Sequence, residues 1–439
     1  MITAYAPAFG SLLLLGGKVS DLVGRKRTFV AGLLGFAGAS AAAGAAPSFG
    51  VLIAARAVQG LFAAVLAPAA LSIVATTLTD ARERARAFAV YGAVGGSGAA
   101  VGLILGGAVT AALSWRWTMY VNLAIAIPAA IAAGRLLVNV RPPERPRLDL
   151  AGTVVATSGL FALVYGFASA EREGWGAAIT VGALAYGSLA ALGFVALERR
   201  VAAPLLPLRV PADRNRGGAF LALTCAASAT FSSFLLLSYY MQGALGFSAI
   251  ECGLAFLPMA SALMLTSMGI ASRLLPRLGP RVLVPGGLAL AAAGLTYLTG
   301  IDVSPGYAVS ALPGMVVIAA GFGLAVPSAM ATATRGVAPA QAGVASAMVN
   351  ACQQVGGSLG VSLLSTIFAT AASAFVPAPG TPARQAETAA ALHGYVTAFR
   401  WSAVIVAAGA LAAALLLEGR RRPAPEPAEE PGVAVTEAG

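Results

Sequence analysis

Long apolar runs joined by short polar links occupy almost the whole chain. They lie at about 1–17, 28–46, 51–78, 86–113, 118–138, 151–169, 177–197, 218–241, 251–272, 282–300, 307–330, 343–371 and 397–417. At about 1.5 Å of rise per residue each can cross about 30 Å of hydrocarbon as a helix, the first only barely. The runs are apolar on all sides and do not alternate. Lipid-facing helices fit that pattern, whereas the striped helices of a soluble domain and the strands of a barrel do not. The pattern predicts an all-α polytopic membrane protein of about thirteen spans.

Composition agrees, with 58% hydrophobic and 10% charged residues among 439 and a mean hydropathy of +0.83. The net charge of +11 would suit a nucleic-acid binder, but the arginines sit in short links without aromatic interleaving. No nucleic-acid partner is expected; membrane lipids are. Counted over alternate links, the set holding 18–27, 82–86, 135–147, 199–216, 273–281, 335 and 420–422 carries 23 basic residues. The other set carries four, Arg116, Arg172, Arg384 and Arg400. The basic set is therefore cytoplasmic, and so is the C-terminus; the Pro- and Glu-rich stretch 418–439 reads as a disordered tail.

The chain repeats itself. "SRLLPRLGPRVLV" mirrors "GKVSDLVGRKRTF" when Gly279 is set on Gly24, 255 residues apart, and "QQVGGSLGVSLL" mirrors "GAVGGSGAAVGLI" with Val355 on Val94, 261 apart. Two ordered offsets of similar size indicate two homologous halves. They divide the chain into 1–138 with five spans, 139–217 with two linking helices, 218–417 with six spans, and the tail. By the same count one helix is missing from the front.

Few residues can carry chemistry. Cys225, Cys252 and Cys352 lack metal spacing, His393 is the single histidine, and no acid–base or nucleophilic set can be assembled. An enzyme, a metal site and a cofactor are not expected. Asp21 stands at a helix end, where a carboxylate can accept backbone N–H bonds and favour the dipole of a following helix. Arg25, Lys26 and Arg27 can pair with it or with acidic lipid head groups, or serve only to set topology. Arg56 lies inside a span, where an arginine costs about 2.5–3.5 kcal/mol, so it faces a polar interior or a partner, or else snorkels to the outer surface. Gly98, Gly102 and Gly106 recur every four residues as a smooth strip that permits close helix approach. Asn350, Gln353 and Gln354 fall on about one turn of a late span, as interhelical hydrogen bonds or as cavity lining. Phe231, Phe234, Tyr239, Tyr240 and Met241 give one span an aromatic, soft surface that suits either a cavity or packing.

These stretches resemble the major facilitator superfamily, and within it the fourteen-helix drug:proton antiporters of bacteria. "GKVSDLVGRKR" is similar to the family's cytoplasmic motif at Gly17, Asp21, Gly24, Arg25 and Lys26, and "RAVQG" to its arginine motif at Arg56, Gln59 and Gly60. "GSGAAVGLILGG" resembles the antiporter motif at Gly98, Gly102, Gly106 and Gly107, with Leu103 in place of the motif's proline. "SWRWTMYVNLAI" and "GVASAMVNACQQVGGSLGVSLL" are similar to stretches typical of the group.

The resemblance implies two six-helix halves and two linker helices, rocking about a central cavity in the bacterial inner membrane. It implies export of a small hydrophobic, drug-like or secondary-metabolite molecule in exchange for protons. Nutrient uptake and a transport-inactive truncated chain remain alternatives, and a monomer is expected. Asp21 and its basic neighbours would latch the halves together on the cytoplasmic side in one state and release in the other. Arg56 would modulate a nearby carboxylate, and the glycine strip would form a sliding contact that prevents leak. No acidic residue falls inside a span; in relatives the absent first helix carries one. Either an upstream start supplies that helix, or the chain is a degraded or uncoupled form; residues 1–439 alone are expected to show no flux driven by a pH gradient.

Overall fold

The computed structural model describes residues 2–78, 80–138, 149–201, 204–302, 306–338, 341–378 and 382–418. The link 139–148 and the expected tail from 419 onward lie outside the described residues. Among the described residues the protein is helical throughout, with no strand. The long helices are α1 (Ile2–Val23), α2 (Arg25–Gly44), α3 (Phe49–Thr77), α4 (Ala81–Ala112), α5 (Trp115–Leu136), α6 (Leu150–Glu173) and α7 (Ala178–Glu198). They continue as α8 (Arg214–Ala244), α9 (Ala249–Leu278), α10 (Pro280–Gly300), α11 (Tyr307–Ala333), α12 (Ala342–Ala374) and α13 (Ala383–Leu416). By length and composition ten of them, α3 and α5 to α13, can cross a membrane.

Short polar residues start these helices. Ser48, Asp80, Asp149 and Asp213 each accept backbone N–H bonds in the first turn of α3, α4, α6 and α8, and Ser248 with Glu251 forms a capping box at α9. Such caps satisfy N–H groups that a helix start otherwise leaves bare. The opposite problem is met at the end of α2. There the guanidinium of Arg116, on α5, donates to the carbonyls of Gly44 and Ala46 at 2.9 and 2.8 Å. That explains the arginine in "SWRW".

Two sharp corners are made by glycine. Gly24 joins α1 to α2 at φ 100°, and Gly279 joins α9 to α10 at φ 74°. A side chain is disfavoured at both, by about 1–3 kcal/mol. These two residues are the ones the repeat sets in register.

Packing divides most helices into two groups. α1, α2, α3 and α5 pack on one another, and α8 to α13 form the second group, with α10 against α11 and α8 against α12 as its tightest pairs. In a lipid environment association rests on dispersion and fit rather than on hydrophobic transfer, so close approach matters. A Cβ added to Gly287 would sit 2.6 Å from the Gly321 carbonyl, and one on Gly294 would sit 2.7 Å from the Ile318 nitrogen. Two seams join the groups, the second through α4, which also touches α3 and α5. α1 packs on α12, with Leu13, Ala64 and Ala351 buried where α1, α3 and α12 meet. α4 packs on α9 and α11, and Ser267 donates to the Ala89 carbonyl there at 2.7 Å.

The hairpin of α6 and α7 leans on both α1 and α12. The Trp175 indole at its tip donates to Thr366 on α12 at 2.8 Å. At its base the Lys18 ammonium of α1 donates to the Pro204 carbonyl at 3.2 Å.

Candidate functional site

The charged end of α1 provides a carboxylate contact between the two groups. α1 runs on to Val23 before Gly24 breaks it, so Asp21 points sideways from a helix rather than forward into α2. Its carboxylate accepts the Gly343 N–H at 2.9 Å and the Val344 N–H at 3.3 Å, the first turn of α12. Asp21 does accept N–H bonds at a helix start, but that helix is α12 and not the adjoining α2. It caps a helix 322 residues away. Glycine on both sides makes this possible: a Cβ on Gly17 would stand 2.5 Å from the Gly343 carbonyl oxygen, and one on Gly343 would stand 2.7 Å from Asp21 Oδ1.

Arg25 flanks the pair, with Nη2 3.9 Å from Asp21 Oδ1 and Nη1 donating to Thr76 of α3 at 3.1 Å. Lys26 is half-buried and makes no ion pair with Asp21 among the described residues. Asp21 is buried, at 7% exposure. A buried carboxylate is tolerable only when hydrogen-bonded and paired, as it is here.

Beside this contact lies a second acid that sequence reasoning passed over. Glu198, at the end of α7 and 5% exposed, accepts the N–H groups of Leu205 and Leu206 at 3.2 and 3.1 Å. It folds the chain back so that the Pro204 carbonyl meets Lys18, one turn from Asp21. Only the acid's place at a span end was visible beforehand; its targets lie in an irregular loop with no periodicity. Glu198→Ala leaves two buried N–H groups without acceptors, each worth about 1–3 kcal/mol. The melting midpoint of the protein in detergent is expected to fall, with Glu198→Gln losing about half as much. An unchanged midpoint in both would remove this role.

Arg56 of α3 faces inward. Its Nη1 donates to Gln59 Oε1 at 2.6 Å, and Gln59 Nε2 donates to Ser40 of α2 at 2.6 Å. The guanidinium lies 4.7 Å from the centroid of the Tyr5 ring on α1, an attraction between cation and π-face. Gly60 follows, where a Cβ would meet the Tyr5 carbonyl at 2.6 Å. Among the described residues Arg56 is met by an aromatic ring and an amide, and no carboxylate forms an ion pair with it.

The remaining expected positions are scattered. No described atom lies within 4 Å of a Cβ placed on Gly98, Gly102 or Gly106, and for Gly107 the nearest is Ile250 at 3.9 Å. Among the described residues the strip makes no close helix approach, whereas glycines of α10 and α11 do. Tyr240 is fully buried, donates to the Asp302 carbonyl at 2.6 Å and meets the Tyr395 ring edge-on at 5.8 Å, so it is packing rather than cavity lining. Tyr239 is half exposed. Asn350 turns back to the Ser346 carbonyl of its own helix at 2.9 Å. Gln354 packs against Gly10 of α1, at 2.8 Å from where a Cβ would stand, and Gln353 is half-buried beside it.

A helical membrane protein of two packed groups, held at one end by a carboxylate that caps a helix of the other group, has the architecture of a transporter. The chain belongs to the Major Facilitator Superfamily, whose family model matches residues 1–361. It is 46% identical over 429 residues to the puromycin resistance protein pur8 of Streptomyces alboniger, covering 97% of this chain and 85% of that one. It is 38% identical over 389 residues to the cephamycin export protein CmcT of Amycolatopsis lactamdurans, covering 88% and 79%. The crystal structure of the human organic anion transporter MFSD10 (TETRAN) superposes with a TM-score of 0.65 at 17% identity, over 94% of this chain and 82% of that one. At that identity the likeness is one of fold.

Proposed function

We propose that this protein exports hydrophobic, drug-like or secondary-metabolite molecules by alternating access, in exchange for protons. All thirteen long helices cross the bacterial inner membrane in this reading, and the Asp21 end and the C-terminus are cytoplasmic. The observation that carries it is the Asp21 contact with the Gly343 and Val344 N–H groups. A few charge-assisted hydrogen bonds between two otherwise separate helix groups are strong enough to hold one end closed and few enough to break in a cycle. Relatives named for puromycin resistance and cephamycin export support the substrate class and the outward direction. The gathering of basic residues at the Asp21 end supports the orientation.

Accumulation of puromycin in cells expressing the chain tests it against the alternative that residues 1–439 alone carry no proton-driven flux. Lower accumulation than in control cells, restored by a proton ionophore, is expected. Higher accumulation would point to uptake, and no change with the protein confirmed in the membrane would overturn export. A reporter that fluoresces only in the cytoplasm, fused after Gly439, checks the orientation in the same cells.

A further inference from the structure

The register that sets Gly279 on Gly24 also sets Pro276 on Asp21, and the displacement of 261 sets Arg82 on Gly343. The seam where the end of α9 meets the start of α4 is therefore the counterpart of the seam where α1 meets α12, and the two helices do pack there. At the counterpart seam the carboxylate is replaced by proline. The N–H groups it would cap, those of Arg82 and Glu83, are capped instead by Asp80 of their own segment, both at 2.9 Å.

Where a second clamp would lie there is a cleft of about 570 Å³ with Pro276 and Gly279 in its wall. Arg84 of α4, Arg214 and Arg216 of α8, and Arg335 beyond α11 line it, against two acids, Asp213 and Glu418. Both acids are engaged: Asp213 lies 3.6 Å from Arg216, and Glu418 lies 3.7 Å from Arg214. Arg84 and Arg335 have no carboxylate within 4.0 Å among the described residues. A cleft of about 550 Å³ adjoins it, sharing Asp213 and Arg216 and adding Arg209. Membrane sidedness places these three stretches on one face, and the fold brings four of their guanidinium groups to the wall of one concavity. Guanidinium groups held together repel unless an anion lies among them, and their planar forks match phosphate oxygens. The volume suits an organic phosphate.

We propose that this cleft binds a phosphate-bearing anion, a phospholipid headgroup or a soluble phosphate ester, which supplies at the α4–α9 seam the negative charge that Asp21 supplies at the other. The test is native mass spectrometry of the full chain in detergent with phosphatidylglycerol, phosphatidylcholine and glycerol 3-phosphate as probes. Wild type should retain phosphatidylglycerol or glycerol 3-phosphate in preference to phosphatidylcholine. The Arg84→Gln, Arg335→Gln double variant should weaken that retention roughly tenfold, while Arg199→Gln with Arg200→Gln, equal in charge and exposed elsewhere, should not. Pro276→Asp places a carboxylate in the cleft without removing an arginine and should cause the same loss, which keeps the test decisive if the double variant does not fold. Retention of the soluble ester but not the lipid, or the reverse, identifies the source. Equal retention by wild type and Pro276→Asp, or no preference for either anionic phosphate probe over phosphatidylcholine, would overturn the proposal.

Discussion

Replacing Asp21 with asparagine should cut the initial rate of puromycin efflux at least about tenfold, because hydrogen bonds to a charged group contribute about 1.5–3 kcal/mol. The amide keeps one acceptor for the Gly343 N–H but turns its own NH₂ toward Val344, and it loses the charge that faces both the α12 dipole and Arg25. The closed arrangement weakens while the helices themselves remain, so abundance in the membrane should stay near the wild-type level. Rates normalised to membrane abundance measure this. A normal rate would reduce Asp21 to a residue that only sets topology.

The second large effect is expected from a single methyl group. Gly343→Ala would place Cβ 2.7 Å from Asp21 Oδ1 and against the Gly17 carbonyl, and backbone cannot move aside as a flexible side chain can. The two helix groups must then separate at this seam, and efflux should fall as far as it does in Asp21→Asn. Combining the two substitutions should cost little more than either, since both remove one interaction. Additive losses would mean that Gly343 matters for another reason. Gly98→Ala, with no described atom within 4 Å of the new methyl group, should transport normally.

The contrast between these glycines shows what was legible in the sequence. Spans were readable because lipid requires each helix to be apolar on every side and to satisfy its own backbone, so the signal is local and long. Asp21 stood out as an acid where acids are rare. Its target did not, because Gly343 lies 322 residues on and nothing local marks which helix start will face it. Spacing at Gly98, Gly102 and Gly106 reveals a smooth face but not a neighbour to fill it, whereas Gly287 and Gly321 touch without any motif to announce them. Tyr240 was ambiguous for the same reason: an aromatic ring fits a cavity wall and a core equally well until its hydroxyl is seen bonded to a buried carbonyl. Of the partners of Arg56, Gln59 stands in the same motif, but Tyr5 was hidden because the attraction of a cation to an aromatic face leaves no pattern along the chain.

The α6–α7 hairpin decides which group carries it when the two part. It is fastened to α12 by a neutral bond between an indole and a hydroxyl, and to α1 by an ammonium donating to a carbonyl. Hydrogen bonds of the first kind contribute about 0.5–1.5 kcal/mol and those with a charged donor about 1.5–3. In the proposed cycle the weaker fastening would yield first, and the hairpin would travel as a passenger of the α1 group. Its tip would then be swept along α12 at every turnover, a wiper whose stroke is set by how far Trp175 leaves Thr366.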